Sequence, residues 1–370
     1  MAANYWESTQ RRHWQFAKDE LATMRQKLED EDPALVQAYP LPPLRHLNIH
    51  FNQRKCAFGI WVLPPVLSTC CPEINRLGKR LGVRQQPMAT AQIYLKRFYT
   101  RVEIRRTNPY MMMATALYLA CKMEECPQHI RMVTGEARSL WPNEITTIDP
   151  GKLGECEFFL ISEMNSQLIV HQPYRTLNTL QGDFGLNNEE VALSWSVIND
   201  HYMTDLPLLY PPHIIALTAI MLAVVLRPTN APGQGGGTTA AGANTAAGLA
   251  AASAALAQAQ ARAAITGGGN GSNGGNSGPG TPSFTPQGSA VSQGMQLSQG
   301  GDNNGDNRKG PEARMNKVTR FAAWLAESNI DIEAMVDCTQ ELISFYECHE
   351  QYNDKHTREP IIRFLKARGL

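Results

Sequence analysis

Two stretches of the chain are apolar on every side at helical spacing. From Pro109 to Cys126, Met111, Met112, Ala114, Thr115, Ala116, Leu117, Leu119 and Ala120 surround the axis. Charge arrives only at Lys122, Glu124 and Glu125. Pro109 suits a first helical turn, and Pro127 prevents continuation. Pro212 to Leu226 has the same all-round apolar character. Helices of this kind belong at the centre of a bundle rather than on its surface. A core helix that delivers one lysine and two carboxylates at its C-terminal end is the candidate working part.

The remaining pattern predicts helices on both sides of these two. Residues 4–28 read as one helix capped by Asn4, with Glu7 at the capping-box position and Trp6, His13, Trp14 and Phe16 as bulk. An acidic, proline-containing linker follows from Glu29 to Pro43. Leu44 to Gln53 starts a helix that resumes near Ile74. Between them, Arg54 to Pro72 carries Cys56, Trp61, Pro64-Pro65 and Cys70-Cys71, and reads as an inserted loop or as sequence absent from the mature protein. Gln85 to Val102 is amphipathic, with Met88, Ala91, Ile93, Leu95 and Phe98 opposed to Lys96, Arg97 and Arg101; Arg105 and Arg106 extend the charge. Such a basic cluster suits phosphate or acidic side chains, and equally a solvated face. His129–Leu140 and Pro150–Asn165 are further amphipathic helices. In the second, Leu153, Cys156, Phe159, Leu160 and Met164 form the apolar stripe and Glu155 stands off it.

The series then repeats, with helices expected over Pro173–Leu180, Asn188–Thr204, Pro212–Leu226, Met315–Glu327 and Ile332–Tyr352. An ungapped shift of 103 residues places Tyr99 on Tyr202, Pro109 on Pro212, Thr115 on Thr218, Ala116 on Ala219, Leu119 on Leu222 and Ala120 on Ala223. Two copies of one five-helix domain account for this register. Thr229 to Lys309 is Gly, Ala, Asn, Ser and Gln with few large apolar residues, a composition that cannot offset its ordering entropy, so disorder is expected. Lengthening a surface loop from about 5 to about 80 residues costs only roughly 2.5 kcal/mol of closure entropy. The expected organisation is an N-terminal helix and linker (1–43), a first repeat (44–166, with the insertion at 54–72), and a second repeat (167–228 with 313–356). The low-complexity insertion occupies 229–312 and a C-terminal tail 357–370.

Composition narrows the chemistry. The 370 residues carry 34 basic and 34 acidic side chains, so no global field favours nucleic acid or a membrane surface. No Cys-x-x-Cys pair occurs among eight cysteines. Cys121, Cys156, Cys338 and Cys348 fall within apolar helical patterns, as reduced thiols of an intracellular protein do. The start lacks a signal-peptide core and no apolar run spans a bilayer, so a soluble chain is expected. Gly78-Lys79 lacks the glycine spacing of a phosphate loop. Cys121, Cys126 and His129 lack a fourth ligand at zinc spacing. Glu155 and Glu157, two apart on a helix, do not face each other as an acid–base pair. Neither cofactor nor metal is implied, and a binding scaffold fits better than an enzyme. The remaining constellation is Lys122 with Glu124, Glu125 and Glu155: a surface ion-pair cluster, or a clamp for a partner held by a rigid helix.

Leu119-Ala-Cys-Lys-Met-Glu-Glu125 resembles the cyclin-box signature, and the repeated five-helix pattern resembles the two cyclin folds of an all-α protein. Asn4-Tyr-Trp-Glu-Ser, Arg84-Gln-Gln, Tyr94-Leu-Lys-Arg-Phe-Tyr, Glu155-Cys-Glu-Phe-Phe-Leu, Leu168 to Arg175, and Asn199 to Leu206 with Leu209-Tyr-Pro-Pro narrow this. Together they resemble the cyclin C family in its fungal form. The resemblance implies a regulatory subunit without catalysis of its own, bound to a cyclin-dependent kinase and other subunits of the Mediator kinase module in the nucleus. It implies that the signature lysine and a fifth-helix glutamate, by motif Lys122 and Glu155, contact the kinase, with Glu125 beside them and Trp6 adding a contact. Lys96, Arg97, Arg101, Arg105 and Arg106 would meet acidic partner segments. The alternatives are another transcriptional cyclin of the cyclin H type, or a DNA-binding general factor of the IIB type. The latter calls for a basic fold and a zinc ribbon, which neutral charge and the cysteine spacing oppose.

Overall fold

The computed structural model describes residues 4–39, 65–142, 148–226, 310–350 and 354–369, all in helices and their connections without a strand among them. It divides into two compact units, Met1–Arg227 with Asn329–Leu370, and Pro228–Ser328.

The first repeat contains α4 (Pro65–Arg80), α5 (Gln85–Phe98), α6 (Pro109–Met123), α7 (Ile130–Leu140) and α8 (Pro150–Glu163). These follow three short leading helices, α1 (Thr9–His13), α2 (Lys18–Asp30) and α3 (Pro33–Ala38). Helix α6 is the centre: α4, α5, α7 and α8 all pack against it. The second repeat places α9 (Tyr174–Asp183), α10 (Asn188–His201), the short α11 (Leu206–Leu209) and α12 (Pro212–Leu226) in the same order. Helix α12 packs on α9, α10 and, after the second unit, α14 (Ile332–Glu350). The register of the repeat is borne out residue by residue, because α6 and α12 both start at the shifted proline and both run 15 residues. Thr115 and Thr218, and Ala116 and Ala219, are completely buried. In the second unit the described part is α13 (Gly310–Glu327), where Phe321 stacks on Trp324. The disorder expected for 229–309 lies outside the described residues.

Four expectations change. The leading stretch is not one helix: Asn4 caps a 3-10 turn at Tyr5–Glu7, Ser8 caps α1, and the chain breaks before α2. The break turns Trp14 into the core, where its indole N–H donates to Gln167 Oε1 at 2.7 Å. The acidic linker is largely helical, since Asp32 caps α3. Residues 65–72 are not an insertion but the first half of α4. Cys70, Ile74 and Leu77 form its buried stripe despite Pro72, and the Cys71 thiol donates to the Tyr202 carbonyl at 3.1 Å. Residues 44–64, including the rest of that expected interruption, lie outside the described residues. The expected tail is helix α15 (Asp354–Arg368), which packs on α4 and buries Ile361, Phe364 and Leu365 at i, i+3, i+4 spacing.

The leading helices tie the repeats together. Gln10 exchanges hydrogen bonds with the His171 backbone, at 2.6 and 3.2 Å. The Phe16 amide donates to the Leu208 carbonyl at 2.9 Å, and Lys18 pairs with Glu341 at 3.0 Å. Arg25 grips both oxygens of Asp205 at 2.6 and 2.8 Å, and the Asp205 side chain is only 2% exposed. Beside this junction lie two more buried polar residues. Burial lowers the Lys96 ammonium pKa, and its Nζ has no hydrogen-bond partner among the described residues. Burial likewise pulls His201 down to about 3.

Two outcomes follow from this junction. Arg25→Ala leaves the Asp205 carboxylate buried and unpaired, and is expected to cost about 3 kcal/mol, the low end for a broken buried pair because Arg25 itself is partly solvated. Removing Asp205 as well should restore part of that loss in a denaturant titration. The depressed His201 pKa means the unfolded chain takes up a proton that the folded chain refuses, so stability falls as pH drops below about 6.5 toward about 3. Between pH 7 and pH 5.5 that amounts to about 1 kcal/mol. Urea midpoints at the two pH values measure it, and His201→Gln should flatten the difference by that amount.

Candidate functional site

The C-terminal end of α6 presents the candidate site. Asn108 caps the helix start with its side chain, Pro109 occupies the first turn, and eleven of the residues from Pro109 through Cys121 are buried. After the half-buried Met111 and Tyr118, Lys122 is the first exposed residue, with its side chain 41% exposed. Its ammonium donates to both carboxylate oxygens of Glu157 on α8, at 2.7 and 2.8 Å, and lies 4.3 Å above the Tyr118 ring. Desolvation lowers the Lys122 pKa, but the hydrogen bond and charge of Glu157 outweigh it and the net shift is upward. Glu157 is nearly buried, its side chain 12% exposed, so the pair has a dry side and a wet side. Next to it Phe158 is 76% exposed, and Met123 and Phe159 are also at the surface. Large apolar groups flanking a fixed charge are the composition of a docking face rather than of a catalytic pocket.

The other acidic residues expected here go elsewhere. Glu155 is exposed and does not pair with Lys122. Glu124 accepts from Thr90 on α5 at 2.6 Å. Glu125 adopts a left-handed conformation, φ 54°, as the terminating residue of α6. Trp6 is 54% exposed and stands 5.3 Å from the His213 ring at the start of α12, with the Arg11 guanidinium over it at 5.3 Å. It belongs to a groove of about 610 Å³ that Tyr5, Glu124, His171, Arg175 and His213 also line.

The basic cluster is not a surface patch. Lys96, Arg97 and Arg105 are buried. Arg97 donates to the Gln167 carbonyl at 2.9 Å, and the Arg97 and Arg101 guanidinium groups lie over the Trp14 ring at 5.2 and 4.9 Å. Arg105 pairs with Glu103 and donates to the Tyr39 carbonyl. Arg97, Arg101 and Arg105 hold the leading segment on the first repeat, and Arg101 and Arg106 are the exposed members of the cluster. Helix α5 is buried on all sides from Pro87 to Phe98, so its alternating charge did not mark an outer face.

Glu157 is the member of the candidate site that pattern reading misses. The buried stripe of α8 is Leu153, Glu157, Leu160 and Met164, not one through Cys156 and Phe159. Its signal was a carboxylate at i+4 from Leu153 and i−3 from Leu160, a core position that a lone acid occupies only with a partner. Among the described residues no group of three or more His, Cys, Asp or Glu side chains is placed to hold a metal ion.

Residues 68–169 match the family described as cyclin, N-terminal domain. An RNA polymerase II holoenzyme cyclin-like subunit of Chaetomium globosum is 66% identical over 381 residues, covering 100% of both chains. The protein of the same description from Neurospora crassa is 61% identical over 373 residues, covering 100% of this chain and 99% of its own. A chain of the CAK complex of Chaetomium thermophilum overlays on 59% of this chain and 68% of its own, at 22% identity and a TM-score of 0.46. With a duplicated all-helical core, the signature ending in Lys122 and full-length identity of this order, the chain belongs to the cyclins, in the fungal cyclin C-like family of RNA polymerase II holoenzyme cyclin-like subunits.

Proposed function

We propose that this chain is a non-catalytic regulatory subunit that binds and activates a cyclin-dependent kinase within the kinase module of Mediator, acting on RNA polymerase II transcription in the nucleus. The observation that carries the reading is the Lys122–Glu157 pair, held bidentately where the most enclosed helix of the first repeat reaches solvent. Family membership supports the partner class, and the relatives' printed description supports the setting. Phe158 and Met123 supply apolar contact area beside the charges, and Glu155 lies on the outer side of the same helix turn.

The mechanism is one of selection. A protein kinase is active only when its lysine–glutamate pair and metal-binding loop are assembled, which depends on the position of one mobile helix. A rigid surface that binds the assembled arrangement better than the open one shifts the population toward it. Rigidity is what α6 provides, because moving Lys122 would require repacking the four helices around it.

The pair contributes little to the free chain. With Lys122 41% exposed, solvent screens it, and the stabilisation is about 0–1 kcal/mol. Under a docked helix the same charges are desolvated, and losing one partner costs on the order of 3–5 kcal/mol, roughly a hundredfold or more in affinity. Lys122→Ala and Glu157→Gln should therefore lower kinase capture from nuclear extract about a hundredfold while moving the thermal midpoint by only about 2 °C. Glu155→Ala should cost far less. Undiminished capture by the first two variants would sink the assignment.

A further inference from the structure

Helix α6 ends in a closed turn whose two ends are both cysteines. Glu125 takes the left-handed conformation, and the Cys126 amide donates to the Cys121 carbonyl at 2.9 Å. This six-to-one closure brings the side chains at its ends together. Here those side chains are thiols, and Cys126 stands near enough to Cys121 to help raise its pKa. A disulfide asks for α-carbons roughly 4.4–6.8 Å apart, a separation compatible with two residues joined end to end by such a backbone bond. Lys122 lies inside the closed turn, so whatever fixes the turn fixes the lysine.

We infer that Cys121 and Cys126 are a redox-sensitive staple, closed by peroxide to a disulfide that locks the turn carrying Lys122 and reopened by a dithiol reductant. Its bearing on kinase binding rests on the function proposed above. The two thiols have different access. Cys121 is completely buried, whereas Cys126 is half-buried and reached by solvent. Burial, with Cys126 beside it, pushes the Cys121 thiol up to about 12 and keeps it protonated. Cys126 is thus the thiol that meets the oxidant. As the thiolate it attacks one peroxide oxygen, giving a sulfenic acid and one water once protons balance. The Cys121 sulfur then displaces the sulfenic hydroxyl, which leaves as a second water. In total two thiols lose two electrons and two protons, and one peroxide becomes two waters.

Trypsin makes the staple directly visible, because it cuts after Lys122, between the two cysteines. The full-length chain is treated with hydrogen peroxide, remaining thiols are alkylated, and the digest is mapped by mass spectrometry with and without reduction. The expected product is Thr107–Lys122 joined to Met123–Arg131, released by dithiothreitol and absent from Cys126→Ser. Hydrogen exchange at the Cys126 amide should slow about tenfold on oxidation and recover on reduction. Linkage of Cys126 to Cys156, linkage between chains, over-oxidation of Cys126 alone, or unchanged exchange would each overturn the staple. In a second arm, immobilised reduced and oxidised chains are loaded with kinase from nuclear extract. Oxidation should slow kinase release about threefold, as expected of a pre-organised contact. A reduced chain that captures no kinase would refute the function reading while the exchange measurement still decides the staple. Kinase release that is the same in both states would refute the link between staple and Lys122.

Discussion

Burial of two helices that are apolar all round is the constraint on which this molecule depends. Helices α6 and α12 have no face to offer water, so each must be enclosed, and enclosure requires several amphipathic neighbours. Thr115 and Thr218 at equivalent depth, and the small residues at Ala116, Ala219, Ala120 and Ala223, let those neighbours approach closely. Everything else attaches to these two centres. The leading helices bridge them through Trp14 and through the Arg25–Asp205 pair, and α15 returns to cover α4. Exposed positions on α6 then occur only in its last turn.

This arrangement separates stability from recognition. The apolar length of α6 sets where Lys122 stands, while the ion pair to Glu157 contributes little until a partner excludes water from it. A docking charge on a loop would lose part of its binding free energy to ordering; one at the end of an enclosed helix is already placed. The buried cations in and after α5 play the opposite part. Arg97 and Arg105 hold the leading segment and Lys96 is enclosed beside the junction, so all three are poorly placed to meet a partner.

Much of the fold was legible from residue order. The 103-residue register, the two central helices with their proline starts, and the family signature all read correctly without coordinates. What failed did so for a shared physical reason: local pattern does not report what packs on a helix from outside. Cys70 and Cys71 looked like part of an interruption because prolines stand on both sides of them, and α15 looked like a tail because its apolar residues, Ile361, Ile362, Phe364 and Leu365, are grouped in a short run within a charged segment. Helix α5 displayed alternating charge yet is enclosed on all sides, since its cations find carbonyls and an indole from the leading segment and the loop after α8. For the site, Lys122 was legible and its partner was not. Counting Cys156 and Phe159 into the stripe of α8 left Glu157 without a place in it, whereas its spacing from Leu153 and Leu160 puts it inward beside Lys122.

The central claim is that a kinase docks on the surface where α6 and α8 meet. Hydrogen exchange of the full-length chain, free and with bound kinase, tests it most directly. The account predicts new protection in the segments around Tyr118–Glu124 and Leu153–Leu160, centred on Lys122 and Glu157. Protection confined to other helices, with these two segments unchanged on binding, would contradict it.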